Sequence, residues 1–195
     1  MARPETLKQA VQPSPLHALI AQTQLSPSHL PNLHALALQV QHNLQFQHSW
    51  TALRVHTHSP LTNEPLPRPL LAGLPPKRLY VHPDEQIALL KTAERTRKAR
   101  KRAGDSSDAL EIKAAPEREW ILPTRLSEKW TLRRLSDVFA GTSLVPPEAE
   151  ESETVTDRPA NPWRSTKRVV LATVSPDSTV VYYIVQDGVV KPRQN

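Results

Sequence analysis

The chain has 195 residues with a formal net charge of +6, and it carries 20 Pro, 4 Gly and no Cys. That composition excludes a disulfide framework and a thiolate metal site, and no stretch reaches the ~20 apolar residues that a membrane span needs. Apolar residues make up 38% and aromatics 5%, which fits one modest core interrupted by segments too polar to fold. The opening "MARPETLKQAVQPSP" lacks the apolar centre of a secretory signal. Residues 1–27, with Pro4, Pro13, Pro15 and Pro27, read as a disordered tail.

A helix is expected next, with Ser28 as N-cap and Pro31 in the first turn. Leu33, Leu36, Leu38, Val40, Leu44 and Phe46 form its apolar side, and it ends near Gln47. "SWTALRVHTH", residues 49–58, alternates as a strand does. Trp50, Ala52, Arg54 and His56 should face one way, and Thr51, Leu53, Val55 and Thr57 the other. "SPLTNEPLPRP" reads as a proline-broken loop. Two short extended pieces follow, Leu70–Ala72 and Arg78–Val81, around a turn at "GLPP".

A second helix opens at "HPDEQ", with acids in its first turn where the macrodipole favours them. Ile87, Leu89, Leu90 and Ala93 give it a short apolar face, lost beyond Lys98. Residues 99–117 read as a flexible insert. "REWILP" is a strand, and "KWTLRRLSDVFAGT" is a helix with Thr131 as N-cap. Leu132, Leu135, Val138 and Phe139 share one side of that helix, with Gly141 past its end. Residues 142–162, acidic and rich in Pro, form a second insert. The expected fold class is α+β, a mixed and largely antiparallel sheet with flanking helices. Residues 28–195 form its single domain.

The chain closes on "RVVLATVSPDSTVVYYIVQDGVVKPRQN", a hairpin apolar on both faces of both strands. The helices are few and short, so one face is expected to need a partner chain. The pattern alone favours the other reading, a central strand pair enclosed within the molecule. Asp187-Gly188 is a turn signal. Val189 and Val190 then resume an extended run whose edge would invite another sheet; the alternative is a frayed end.

These closing residues, with "PRPLLAGLPPKRLYVHPDEQ" and "EWILPTRLSEKWTLRRLSDVF", closely resemble the small Sen-fifteen-type structural subunit of the eukaryotic tRNA-splicing endonuclease, in its fungal form. The resemblance spans most of residues 30–141 and 163–195. It implies the small endonuclease-like α/β fold of the archaeal splicing enzymes and a place in a heterotetramer of two catalytic and two structural subunits. The complex excises introns from precursor tRNA without a metal. This subunit would pair with a catalytic one through its C-terminal strands. An isolated chain would offer the same hairpin to a second copy as a homodimer. The nucleus is the expected location, with the cytoplasm or mitochondrial outer surface as alternatives.

On that resemblance the interface residues are Asp177, Val181, Tyr183, Val185, Val189 and Val190. In the archaeal relatives the matching turn is acidic and enters a basic pocket, and here "SPDST" keeps only Asp177. The alternative for Asp177 is a cap on its own turn. The catalytic relatives use Tyr, His and Lys. Lys167 or Arg168 lies where their lysine precedes the strand. Tyr80 and His82 fall outside the catalytic context, so no catalytic residue and no cofactor is carried over. Lys77, Arg78, Arg133, Arg134, Lys167 and Arg168 are candidate RNA contacts. The run from Arg97 to Arg102 reads first as a solvated charged face, with tRNA backbone contact as the alternative. Eight His without a completing cluster suggest no metal site. The competing functional readings are a free-standing basic RNA-binding module and a degenerate nuclease.

Overall fold

The computed structural model describes residues 12–22, 29–102, 114–147 and 161–189. The elements in chain order are α1 (Pro15–Gln22), α2 (Pro31–Gln47), β1 (Thr51–His58), β2 (Pro65–Leu74), α3 (Pro83–Arg102), β3 (Glu119–Arg125), α4 (Leu132–Gly141), β4 (Arg168–Val174) and β5 (Val180–Gln186). The five strands form one sheet in the order β1-β2-β3-β4-β5. All neighbours are antiparallel except β3 and β4, which run parallel with α4 in the connection between them. The class is α+β, with the C-terminal hairpin in place.

One helix covers each side of the sheet. Leu36, Val40 and Leu44 of α2 sit at i, i+4, i+8 and pack on Leu71, Ile121, Val170, Ala172 and Val174. On the other side Val138 and Phe139 of α4 pack on Leu66, Leu70, Ala72, Trp120, Leu122 and Val169. The strands therefore alternate between two buried faces, which explains their near-continuous apolar runs. Val169 and Val170 are both buried, so β4 is enclosed by the chain's own helices. The expectation that the helices could not reach both faces fails for β4, because it lies inside the sheet where α2 and α4 overlap.

Several local expectations also change. Part of the expected tail, Pro15–Gln22, is helical. Ser28 lies outside the described residues; α2 instead starts after Leu30, extended at φ −62° and ψ 137°, with no side-chain cap. Trp50 joins Leu53 and Val55 on the α2 face and does not share a face with His56. The cause is a register shift between Thr51 and Arg54, where Ala52 takes a left-handed φ of +48° and resets the alternation. Gly73 makes room for this bend, since a Cβ there would sit 2.5 Å from Leu53 Cδ2 and 3.1 Å from Trp50 Cε3.

The proline-rich segment is not all loop, because β2 begins at Pro65. Pro65, Pro67 and Pro69 alternate, so their missing donors share one edge. β3 pairs with β2 only at Leu71–Gly73, and the β1 register is irregular between His56 and His58. The ladder thus asks little of those prolines. Residues 78–81 are irregular, not a strand. α3 reaches Arg102, past the expected start of the first insert, and Ile87 and Leu90 on it are exposed. In α4 the Thr131 hydroxyl accepts from the Arg134 amide at 3.3 Å, as expected, but Leu132 is 87% exposed. Residues 142–147, expected in the second insert, are anchored: Trp120 Nε1 donates to the Ser143 carbonyl at 3.1 Å.

Candidate functional site

Among the described residues β5 is the last strand of the sheet and pairs only with β4. Its α2-side residues are held. Val180 and Tyr182 pack on the core, and the Tyr182 hydroxyl donates to Asn43 Oδ1 at 2.5 Å, with burial raising its pKa. Its other side extends past the reach of α4. Val185, opposite Val169, is half-buried, but Val181 is 43% exposed and Tyr183 58%. Ile184, on the α2 side, is also exposed. "VVYYIVQ" contains no charge, no proline and no bulge against β4, the devices by which natural edge strands resist pairing. The expectation of an incompletely covered hairpin therefore moves from both strands to β5 alone.

The turn before β5 is built locally. The Ser175 amide donates to the Thr179 carbonyl at 2.9 Å, and Ser178 takes a left-handed φ of +69°. Asp177 Oδ1 accepts from the Thr179 amide at 3.0 Å, and hydrogen bonds from Thr179 and Ser175 hold its carboxyl below the ordinary range. Asp177 thus caps its own turn while remaining exposed. Past β5 the extended run does not resume at Val189, which is irregular and 98% exposed after Gly188 at φ +111°. Val190 lies outside the described residues.

The candidate RNA-contact cations separate sharply. Lys77 and Arg133 are exposed. Arg134 is exposed but tethered: it donates to the Lys129 carbonyl at 2.6 Å and lies 4.6 Å over the Trp130 ring. Lys167 Nζ donates to the Phe139 carbonyl at 2.8 Å, at the C-terminal end of α4, where the same oxygen also accepts from the Thr142 amide and hydroxyl. Arg78 and Arg168 are taken up in ion pairs inside the molecule.

They belong to a buried charge cluster that sequence reasoning missed. Arg168 donates through Nε to Glu119 Oε2 at 2.9 Å and through Nη2 to Glu117 Oε2 at 2.8 Å. Arg164, its side chain 1% exposed, pairs with Glu119 at 3.1 Å and Glu117 at 3.2 Å and donates to the Leu144 carbonyl at 3.0 Å. Arg78 lies 2.6 Å from Glu117 Oε1 and 3.5 Å from Glu85, at the base of α3. Asn161 Nδ2 donates to Glu117 at 2.8 Å. Three guanidiniums thus face three carboxylates across segments far apart in sequence. Glu119 and Arg168 share a register parity with Ile121 and Val170, so the cluster lies at one end of the α2 face. No short-range motif marks it; its only sequence signal is a Glu or Arg next to each strand's apolar run.

Burial alone would raise the Glu117 pKa, but the Asn161 amide and the guanidiniums of Arg78, Arg168 and Arg164 outweigh it and set it below the ordinary 4.5. A depressed folded pKa stabilises the fold fully above the unfolded value and loses that contribution as pH falls through the folded one. Glu128 is lowered in the same way by Arg68, against its own burial. Thermal stability should therefore drop as pH is taken below about 4.5. Glu117→Gln should start less stable at neutral pH and lose less on acidification, read from melting curves between neutral pH and pH 3.

Tyr80 and His82 border this cluster. The Tyr80 ring lies under Arg168 at 5.7 Å, and His82 stacks on Trp163 at 5.7 Å. With Ser165, Thr166 and Gln186 they line a small pocket. Lys167 is not among its lining residues, because its parity sends it to α4 on the opposite face. His56 meets the Trp120 ring edge to face at 4.9 Å, and burial with Arg118 and Arg54 lowers its pKa.

The family described as "Sen15 protein" matches residues 39–195 of the chain. A Neurospora crassa protein described as "Probable tRNA-splicing endonuclease subunit tsp-1" is 42% identical over 167 residues, which cover 84% of this chain and 67% of that protein.

Proposed function

The chain belongs to the Sen15 protein family, and from that membership we propose that it is a non-catalytic subunit of a tRNA-splicing endonuclease. In this reading it braces a catalytic subunit that removes introns from precursor tRNA, with other structural subunits completing the complex. The observation that carries the reading is β5: an uncharged edge strand presenting Val181 and Tyr183 to solvent. An edge of this kind is completed by adding a strand or an apolar face from another polypeptide. Val185 at the margin and Asp177 at the exposed turn would flank that contact, Asp177 offering its carboxylate to a basic partner.

The non-catalytic role rests on the fate of the cations. A Tyr, His and Lys acting together on a ribose hydroxyl and phosphate must converge within hydrogen-bond reach. Lys167 is held by α4 on one face, while Tyr80 and His82 sit beside the charge cluster on the other. The chain alone should leave precursor tRNA uncut. Tagged full-length chain, purified gently from cells that express it, should bring down the catalytic endonuclease subunits, identified by mass spectrometry. Recovery without them, or cleavage by the isolated chain, would overturn the reading. The same tag would test the nuclear location this role suggests.

A further inference from the structure

We propose that α3 is an RNA-docking arm, which grips the phosphate backbone of a structured RNA through Lys91, Arg95, Lys98 and Arg102. The helix is 20 residues long, about 30 Å at the usual rise. Its base is fastened. Glu85 is its one buried residue among the described residues, and it pairs with Arg78 and accepts from Asn161 at 3.4 Å. Beyond that turn only one narrow stripe is shielded, at Leu89, Ala93 and Arg97, each half-buried.

Spacing of 4, 3 and 4 residues puts Lys91, Arg95, Lys98 and Arg102 on a single stripe. At about 100° per residue the four fall within roughly 60° of one another and lie nearly opposite the shielded side. All four are exposed. The fold thus aims the basic stripe outward. Glu94 pairs with Lys98 at 2.8 Å in an exposed contact that a stronger anion can displace at little cost. Lys101 adds charge on one flank.

The occupant follows from the charge pattern. Successive stripe cations rise by about 4.5–6 Å along the axis, a regular row of point charges over some 16 Å with no apolar side chain in the stripe. A row of this kind complements a repeating polyanion. A protein interface would want an apolar or aromatic centre. Structured RNA is favoured over single strands because the stripe offers no aromatic platform on which unpaired bases could stack. This inference deepens the subunit reading by giving the chain its own contact with the RNA that the complex processes.

The test uses the full-length chain, alone and co-purified with its companions, carrying Lys91→Gln, Arg95→Gln, Lys98→Gln and Arg102→Gln together. Gln keeps helix propensity close to that of Lys and Arg, and circular dichroism checks that α3 survives. Binding to a tRNA transcript is followed by fluorescence anisotropy between 50 and 200 mM salt. The proposal expects at least ten-fold weaker binding and a log–log salt slope shallower by about 2–4. Lys77→Gln with Arg133→Gln should change binding less. Unaltered affinity and slope in the four-site variant would overturn it. So would polyglutamate competing as well as RNA, which would mark the stripe as a seat for an acidic protein. Companion recovery is scored separately, so loss of the subunit reading and loss of this one are distinguishable.

Discussion

Replacing Glu119 by Ala should cost the fold about 3–5 kcal/mol, the range for removing one partner from a buried ion pair. The reason is what it leaves behind. Glu119 is 1% exposed and faces Arg164 and Arg168, whose side chains are 1% and 6% exposed. Neither guanidinium can turn to water, and Glu117 would be the one cluster carboxylate left to both, while it also shares Arg78 with Glu85. Against a total stability of some 5–15 kcal/mol this is a large share, and the melting temperature should fall by roughly 10 °C or more. Glu94→Ala removes an exposed pair and should leave the melting temperature unchanged. If Glu119→Ala melts like the wild type, the cluster is not what fastens β3, β4 and the base of α3 to one another.

The second large effect is on association. Val181→Lys with Tyr183→Lys should weaken capture of the partner subunit at least 100-fold while leaving the chain's own melting temperature nearly unaltered. Each side chain contributes about 1.5–3 kcal/mol if an apolar surface covers it, before association costs. Lysines would add the penalty of burying charge, and they are the residues natural edge strands use to refuse a neighbour. Both positions are already wet in the isolated chain, so folding should barely register the change. Titration of the purified variant against the catalytic partner measures the first quantity and a thermal melt the second.

Local chemistry was readable in advance. Thr131 caps α4 because a hydroxyl there meets the Arg134 amide, and "SPDST" makes its turn because Asp177 and Ser178 suit it. The apolar runs of β4 and β5 announced a hairpin, and the resemblance announced the family. What escaped was decided at long range. Period alone could not tell that β4 is interior and β5 an edge, since both runs are equally apolar. The prolines of β2 spoke for a loop, yet an irregular, lightly paired edge tolerates them. At the candidate site, the Arg and Glu cluster unites residues 78, 85, 117, 119, 164 and 168, and no local pattern joins positions so distant. That cluster also holds Arg78 and Arg168, which the sequence offered only as candidate RNA contacts, in ion pairs inside the molecule.

The account rests on β5 being finished by another subunit. Amide hydrogen exchange of the full-length chain, alone and in the reconstituted complex, tests this strand by strand. The outward amides of Val180–Gln186 should exchange quickly in the free chain and become strongly protected in the complex, while β4 stays protected in both. Equal exchange of β5 with and without its companions would contradict the account.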